Sequence, residues 1–137
     1  MAIENKDYLL RQIERLAELV AALVGGVGSV EMKEVARECE RVKATLLGPL
    51  RDGFDRIDPK SAVMLIGGGE KTRLLARVLE LEGDLHAERG DAKAALSARR
   101  QSLALLDALA QREPRAVDDA FRARVAALEA KVAGSQG

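Results

Sequence analysis

The sequence predicts an all-α fold, and three observations lead to this prediction. Apolar residues recur at steps of three and four through most of the chain, as one face of a helix requires. Alanine, leucine, arginine and glutamate dominate the composition, and all four are good helix formers. No strand-like alternation of useful length is visible in the sequence. With 137 residues the chain fits one domain, which we expect to span 1–133 before a disordered tail over 134–137.

The first part of the chain, 5–51, is predicted to be a helical hairpin. The first helix should cover about 7–24 with Asn5 as its N-cap, and the second about 30–47 with Ser29 as its N-cap. Each helix carries one apolar stripe, which comprises Leu9, Ile13, Leu16, Val20 and Leu23 in the first and Met32, Val35, Cys39, Val42 and Leu46 in the second.

A linker with one short helix is predicted over 52–69. Gly48-Pro49 stops the second helix, because proline lacks an amide and clashes with the preceding turn, and we expect an irregular segment after it. Asp58-Pro59 then supplies an N-cap and a first-turn proline for a helix that ends near Ile66. Three glycines at 67–69 separate this half of the chain from the rest.

The last part, 70–133, is predicted to hold three helices. The fourth covers about 70–88, and a tight turn at 89–91 leads into the fifth, which covers about 91–111. The apolar residues of the fifth helix are too widely spread for one stripe, so this helix should pack on two neighbours. Pro114 should open the sixth helix, which we expect to pack on the fifth as a terminal cap.

The stretch 79–106, within a hairpin of about 71–111, resembles one tetratricopeptide repeat. Gly83 and Ala95 correspond to the small positions at which the paired helices of that family touch, and Gly90-Asp91 corresponds to its turn. Small residues let two helices approach closely, and Gly-Asp combines a turn with a cap, so the physical chemistry of these residues agrees with the resemblance.

Four residues depart from the pattern of that family. His86 stands where an aromatic residue is usual, Arg99 replaces an aromatic or aliphatic residue, and Ser102 replaces a second alanine. Pro114 comes about two helical turns later than the family's closing proline, so the fifth helix should be longer than is usual. The stretch 6–14 also resembles the start of a group of small bacterial helical proteins, which implies no activity.

The resemblance implies an architecture and a binding surface. The helices should form a right-handed array of antiparallel pairs, with a closed up-down bundle as the alternative. In the array, a partner would bind in the groove lined by the first helix of each pair. The positions of the fourth helix that would line this groove are Arg77, Glu80, Asp84 and, at its edge, Glu88.

The sequence offers no convincing catalytic, cofactor or metal site. Gly67-Gly68-Gly69 precedes Lys71 as in a phosphate-binding loop, but Glu70 intervenes and would repel a phosphate. His86 is the only histidine, too few for a zinc or di-metal site. Cys39 lies on an apolar stripe, where a free cysteine is usually a buried hydrophobe. We therefore expect neither an enzyme nor a bound cofactor or metal.

Charge and composition limit the kinds of partner. Acidic and basic residues balance at 22 each, and only three aromatic residues are present, so we expect no nucleic-acid partner. The run over 19–30 is too short and too rich in glycine to span a bilayer, so we expect no membrane partner. A single cysteine and the lack of a secretory signal favour the cytoplasm, and the excess of arginine over lysine hints at a bacterial source.

These observations favour a non-enzymatic module that binds a peptide or a partner helix. A structural subunit that forms a homodimer through the first helix is the alternative, and an enzyme or cofactor carrier is a third hypothesis. The predicted core comprises Leu9, Ile13, Leu16, Val20, Val35, Cys39, Val42, Leu75, Val78, Leu79, Leu85, Ala95, Leu96, Leu103, Leu106, Phe121 and Val125.

Overall fold

The structure, a computed structural model, describes the backbone of residues 2–136 and the side chains of 7–134. Across this described part the regular elements are all helical, which confirms the predicted all-α class. The six α-helices are α1 (Ala2–Gly25), α2 (Met32–Leu47), α3 (Pro59–Ile66), α4 (Gly69–Glu88), α5 (Ala92–Arg112) and α6 (Asp119–Gln136). Two 3₁₀ segments, Gly48–Arg56 and Pro114–Ala116, precede α3 and α6.

Helix α4 is the centre of the packing. It contacts α5 along most of its length and also packs on α1 and α2. Helices α1 and α2 pack on each other, and α5 carries α3 and α6 on its other sides. The expected pairings of the first helix with the second, the fourth with the fifth and the sixth with the fifth are therefore all present. The broad apolar surface of α5 follows from its three neighbours.

The core lies between these helices and contains most of the predicted residues, but about half of its buried apolar residues were not predicted. All the predicted core residues are buried except Leu96, Leu103 and Val125, which remain partly exposed. Leu103 and Val125 pack against the edge of the core. The prediction omitted Phe54, which the 3₁₀ segment Gly48–Arg56 buries, although that segment was expected to be irregular.

Two predicted N-caps are confirmed by their hydrogen bonds. The side chain of Asp58 accepts a hydrogen bond from the Ser61 amide at 3.1 Å, at the start of α3. The side chain of Asp91 accepts one from the Ala94 amide at 3.1 Å, at the start of α5. Between α4 and α5, Gly90 adopts a left-handed conformation with φ 81°, which a side chain would disfavour.

Other predicted helix ends were wrong. Helix α1 begins at Ala2, so Asn5 lies within the helix and is not its N-cap. The N-cap of α2 is Glu31 rather than Ser29, and its side chain makes no capping hydrogen bond. These two helices begin at other residues than predicted, because a residue with capping propensity identifies only one of several neighbouring positions at which a helix can start.

The last helix also begins and ends differently from the prediction. Pro114 opens a 3₁₀ turn, and α6 begins only at Asp119. Asp118 caps α6, since its Oδ1 accepts a hydrogen bond from the Phe121 amide at 2.8 Å. The segment 134–137 was predicted to be disordered, whereas α6 continues to Gln136 and Gly137 lies outside the described residues.

Candidate functional site

A groove runs along α4 between α1 and α6. Helix α1 packs on α4, whereas α6 packs on α5, so a strip of α4 is left between the two. The groove has two connected parts, which share Ala17, Arg77 and Arg124 in their linings. One part has a volume of about 350 Å³ near the start of α4, and the other about 660 Å³ towards its end.

The four predicted partner-binding residues all line this groove. Arg77, Glu80, Asp84 and Glu88 follow one another at steps of three and four along α4, which places them on one side of the helix. Their exposure differs widely: Glu88 is exposed and Arg77 and Asp84 are partly buried, whereas only 1% of the Glu80 side chain is exposed. Glu80 is therefore part of the floor of the groove rather than a solvated side chain.

Three cationic side chains surround the carboxylate of Glu80. Oε1 accepts hydrogen bonds from Nη1 of Arg77 at 3.1 Å and Nη1 of Arg124 at 3.0 Å. Oε2 accepts one from Nζ of Lys131 at 2.7 Å. Arg124 and Lys131 belong to α6, so these bonds connect α6 to α4 across the groove. A buried carboxylate needs such partners, because an unpaired buried charge is strongly destabilising.

The electrostatic balance at Glu80 favours its charged form. Burial alone would raise the pKa of this carboxyl group, because burial penalises the charge. The hydrogen bond from Lys131 and the positive charges of Lys131, Arg124 and Arg77 outweigh that penalty and hold the pKa below its ordinary value. Glu80 is thus ionised at neutral pH and holds the three cations at the floor of the groove.

Asp84 extends this cluster by one turn of α4. Its Oδ1 accepts a hydrogen bond from Nη2 of Arg99 on α5 at 3.0 Å, and its Oδ2 accepts one from Nζ of Lys131 at 3.0 Å. Lys131 therefore bridges both carboxylates of the floor. We call the six residues Arg77, Glu80, Asp84, Arg99, Arg124 and Lys131 the charge cluster.

The two walls of the groove differ in polarity. The wall from α1 is mainly apolar: Leu10 and Val24 are exposed large hydrophobic residues there, Ala17 and Ala21 lie between them, and Glu14 is its one carboxylate. The wall from α6 comprises Ala120, Phe121, Arg124, Ala127 and Lys131, and its charged residues are both cationic. The groove is thus apolar along one side and cationic along the other.

The sequence did not predict half of the charge cluster. Arg124 and Lys131 were not predicted as site residues, and Arg99 was noted only for its departure from the repeat pattern. Only 11% of the Arg99 side chain is exposed, because its stem lies over Gly83 and its guanidinium pairs with Asp84. The one sequence signal was that Arg99 occupies an otherwise apolar position of the repeat pattern.

Cys39, Ser102 and the glycine run at 67–69 have structural roles outside the groove. Cys39 is buried, and burial raises the pKa of its thiol to about 12. Ser102 is fully buried, and its hydroxyl donates a hydrogen bond to the Ala76 carbonyl of α4 at 2.6 Å. Gly67 ends α3 in a left-handed conformation, and Gly68 is the N-cap of α4, so the glycine run is the joint between two helices.

Neither a metal site nor a membrane span is found within the part of the chain that the structure describes. No three histidine, cysteine or acidic side chains of these residues gather closely enough to hold a metal ion. None of the described helices combines the length and the apolar character that crossing a bilayer requires.

Comparison with known proteins gives no assignment. The sequence matches no protein-family model, and neither a curated protein nor a solved structure shows significant similarity to it. The functional interpretation therefore depends on the groove itself.

Proposed function

We propose that this chain is a non-enzymatic interaction module that binds a peptide or a partner helix in the groove between α1, α4 and α6. The observation that carries the proposal is the pairing of an exposed apolar wall with a cluster of fixed charges. Exposed apolar side chains beside polar groups that hydrogen bonds keep in position are typical of recognition surfaces. We also propose that the module works in the cytoplasm, in agreement with its single, buried cysteine.

A tetratricopeptide-like arrangement would account for this groove. In such an array the first helices of successive pairs line one concave surface, and here α1, α4 and α6 would take those places. The close contact of Gly83 with Ala95 and the Asp91 cap support this interpretation. The closed bundle remains the alternative arrangement.

The positions of the reactive side chains support a role without catalysis. The thiol of Cys39 is buried and its pKa is raised, so the nucleophilic thiolate is disfavoured. The hydroxyl of Ser102 is held by the Ala76 carbonyl within the α4–α5 contact. The charged groups of the groove other than Glu80, by contrast, are at least partly accessible and can contact a partner.

The test is to capture a partner with the purified protein and to compare its binding to the parent with its binding to variants of the groove. Ala21→Trp would fill the groove at the α1 wall, and Arg77→Ala would remove a cation from its lining. Ala126→Trp is the matched control, because Ala126 is exposed on α6 and does not line the groove. We expect a genuine partner to bind the parent and the control, and to bind the two groove variants at least several-fold more weakly.

Homodimerisation through α1 is a second candidate, favoured by the exposure of Tyr8, Leu10 and Val24 on this helix. Sedimentation of the purified chain separates the two hypotheses. A stable dimer that Leu10→Glu dissociates would support the homodimer, whereas a monomer would support the binding module. If captured proteins bind Ala21→Trp as well as they bind the parent, the groove is not the binding site.

A further inference from the structure

Within the charge cluster, the cationic side chains on α6 are more accessible than the two carboxylates. We propose, on the premise that the groove is a binding site, that its occupant is an amphipathic helix with an acidic face and an apolar face. The acidic face would contact Arg124 and Lys131 on the α6 wall, and the apolar face would pack on the α1 wall.

The exposure of the residues in the charge cluster indicates the sign of the charge that a partner should carry. The cluster comprises four cations and two carboxylates, Glu80 and Asp84, and the side chains of these two are 1% and 19% exposed. The cationic side chains of Arg124 and Lys131 are 40% and 32% exposed and thus more accessible than the carboxylates. A ligand in the groove would therefore meet positive charge on this side, and carboxylates are its complementary groups.

Two exposed carboxylates also line the groove, but neither belongs to the charge cluster. Glu14 lies on the opposite, α1 wall, and Glu88 lies at the end of the groove, beyond the charge cluster. Arg73, which lines the groove near the start of α4, pairs with Asp118 at 3.3 Å. The middle of the α6 wall thus keeps its cationic character, so this is where an acidic partner would bind.

The spacing along the walls indicates a helical occupant. Leu10, Ala17 and Val24 recur every seven residues along α1, and Arg124 and Lys131 are also seven residues apart on α6. Seven residues correspond to two helical turns, or roughly 10 Å. A helix lying along the groove could place an apolar seven-residue repeat against the apolar residues of α1. Carboxylates two turns apart on its other face could then contact Arg124 and Lys131.

Small side chains leave space for the backbone of such a helix. Ala17 and Ala21 lie on the α1 wall, and Ala120 and Ala127 lie on the α6 wall. Packed helices approach to about 8–10 Å between axes only when the side chains at the contact are small enough. These small side chains leave room for the backbone of an occupant to approach the walls, as the proposed helix requires.

The test is selection from a display library of helix-favouring peptides of about 20 residues, roughly 30 Å long as helices. The purified parent protein is the bait, and enriched peptides are synthesised for affinity measurements. We expect enriched peptides with net negative charge and an apolar seven-residue repeat. Their affinity should fall steeply as salt is raised, since added ions screen charge–charge attraction. Salt dependence needs no variant, so it remains informative if a variant fails to fold.

The variants then locate the contact. Arg124→Gln and Lys131→Gln should each lower the affinity for an enriched peptide by about five-fold or more, which corresponds to roughly 1 kcal/mol of binding free energy. The matched control is Arg122→Gln, because Arg122 is exposed on the same helix and pairs locally with Asp119. The control should change affinity by less than about two-fold, as expected for an exposed pair.

Several outcomes would overturn the inference, and they separate it from the proposed function. If the enriched peptides are basic or uncharged, and if Ala21→Trp abolishes their binding, the proposed acidic partner is refuted. The groove would remain the binding site. Peptides that bind Ala21→Trp as tightly as the parent, or no enrichment at all, would refute both proposals. A dimer of the chain that Ala21→Trp dissociates would show that a second copy occupies the groove.

Discussion

Gly83 of α4 lies directly beneath the side chain of Arg99 on α5. A Cβ atom at Gly83 would come within 2.8 Å of Arg99 Cγ and 3.2 Å of the Ala95 carbonyl oxygen, so the crossing has no room for any side chain. The stem of Arg99 covers the glycine, and its guanidinium reaches back to Asp84 one residue further along α4. One glycine thus determines both the close helix contact and the position of a charge in the groove.

Gly83→Leu should destabilise the protein. The added side chain overpacks the α4–α5 contact and displaces Arg99, and we expect the free energy of unfolding to fall by roughly 1–3 kcal/mol. The better helix propensity of leucine offsets part of this loss. Urea unfolding followed by circular dichroism measures the change. Gly134→Leu is the control, since a Cβ at Gly134 meets nothing within 4 Å; a melting temperature that rises for Gly83→Leu would contradict the close contact.

The contribution of Glu80 should depend on pH. Because the folded-state pKa of Glu80 lies below the ordinary 4.5, ionised Glu80 stabilises the fold above pH 4.5, and this contribution is lost as the pH falls through the folded-state pKa. Glu80→Gln should therefore cost about 1–3 kcal/mol at neutral pH, since it weakens charge-assisted hydrogen bonds. The difference between the parent and the variant should shrink towards zero in acid.

Urea titrations of both proteins at a series of pH values measure this difference. Taking the difference between the two proteins cancels the other acidic groups with lowered pKa values, namely Glu38, Asp58 and Asp118. Glu129→Gln, at an exposed position of α6, should leave the stability nearly unchanged. A cost for Glu80→Gln that stays constant from neutral pH into acid would show that the charge of Glu80 does not stabilise the fold.

Cys39 should be unreactive in the native protein. The thiol is buried and its pKa is raised to about 12, so both access and the fraction of thiolate are low. A colorimetric thiol reagent at neutral pH should label the unfolded chain completely and the folded chain only at the rate of unfolding. Rapid labelling of the folded protein would mean that α2 opens locally far more readily than its packing indicates.

Removal of the Asp91 cap should weaken α5 specifically. The Asp91 side chain satisfies the Ala94 amide, and Asp91→Ala should cost about 1 kcal/mol, as is typical when an N-cap is lost. Asp91→Asn keeps a capping oxygen and should retain most of the stability. Thermal unfolding of the three proteins compares them. Equal losses for both variants would show that the charge of Asp91, rather than the cap, is what stabilises the turn.

The groove was predictable only in part. The four positions on α4 followed from the helical period, which places Arg77, Glu80, Asp84 and Glu88 on one side. Their environments did not follow from it, because Glu80 pairs with residues that are 44 and 51 positions away in the chain. Such pairings depend on the approach of α6 to α4, which no local pattern encodes.

By itself, the sequence determined the helices and the caps at Asp58 and Asp91, because helical periodicity and capping act over three or four residues. It also predicted about half of the buried apolar residues, since an apolar stripe has no stable place except against another helix. The tertiary structure alone decided that Glu80 is buried among three cations and that Arg99 covers Gly83. Burial and charge pairing depend on which helices meet in space, and that is set by the packing of the whole chain.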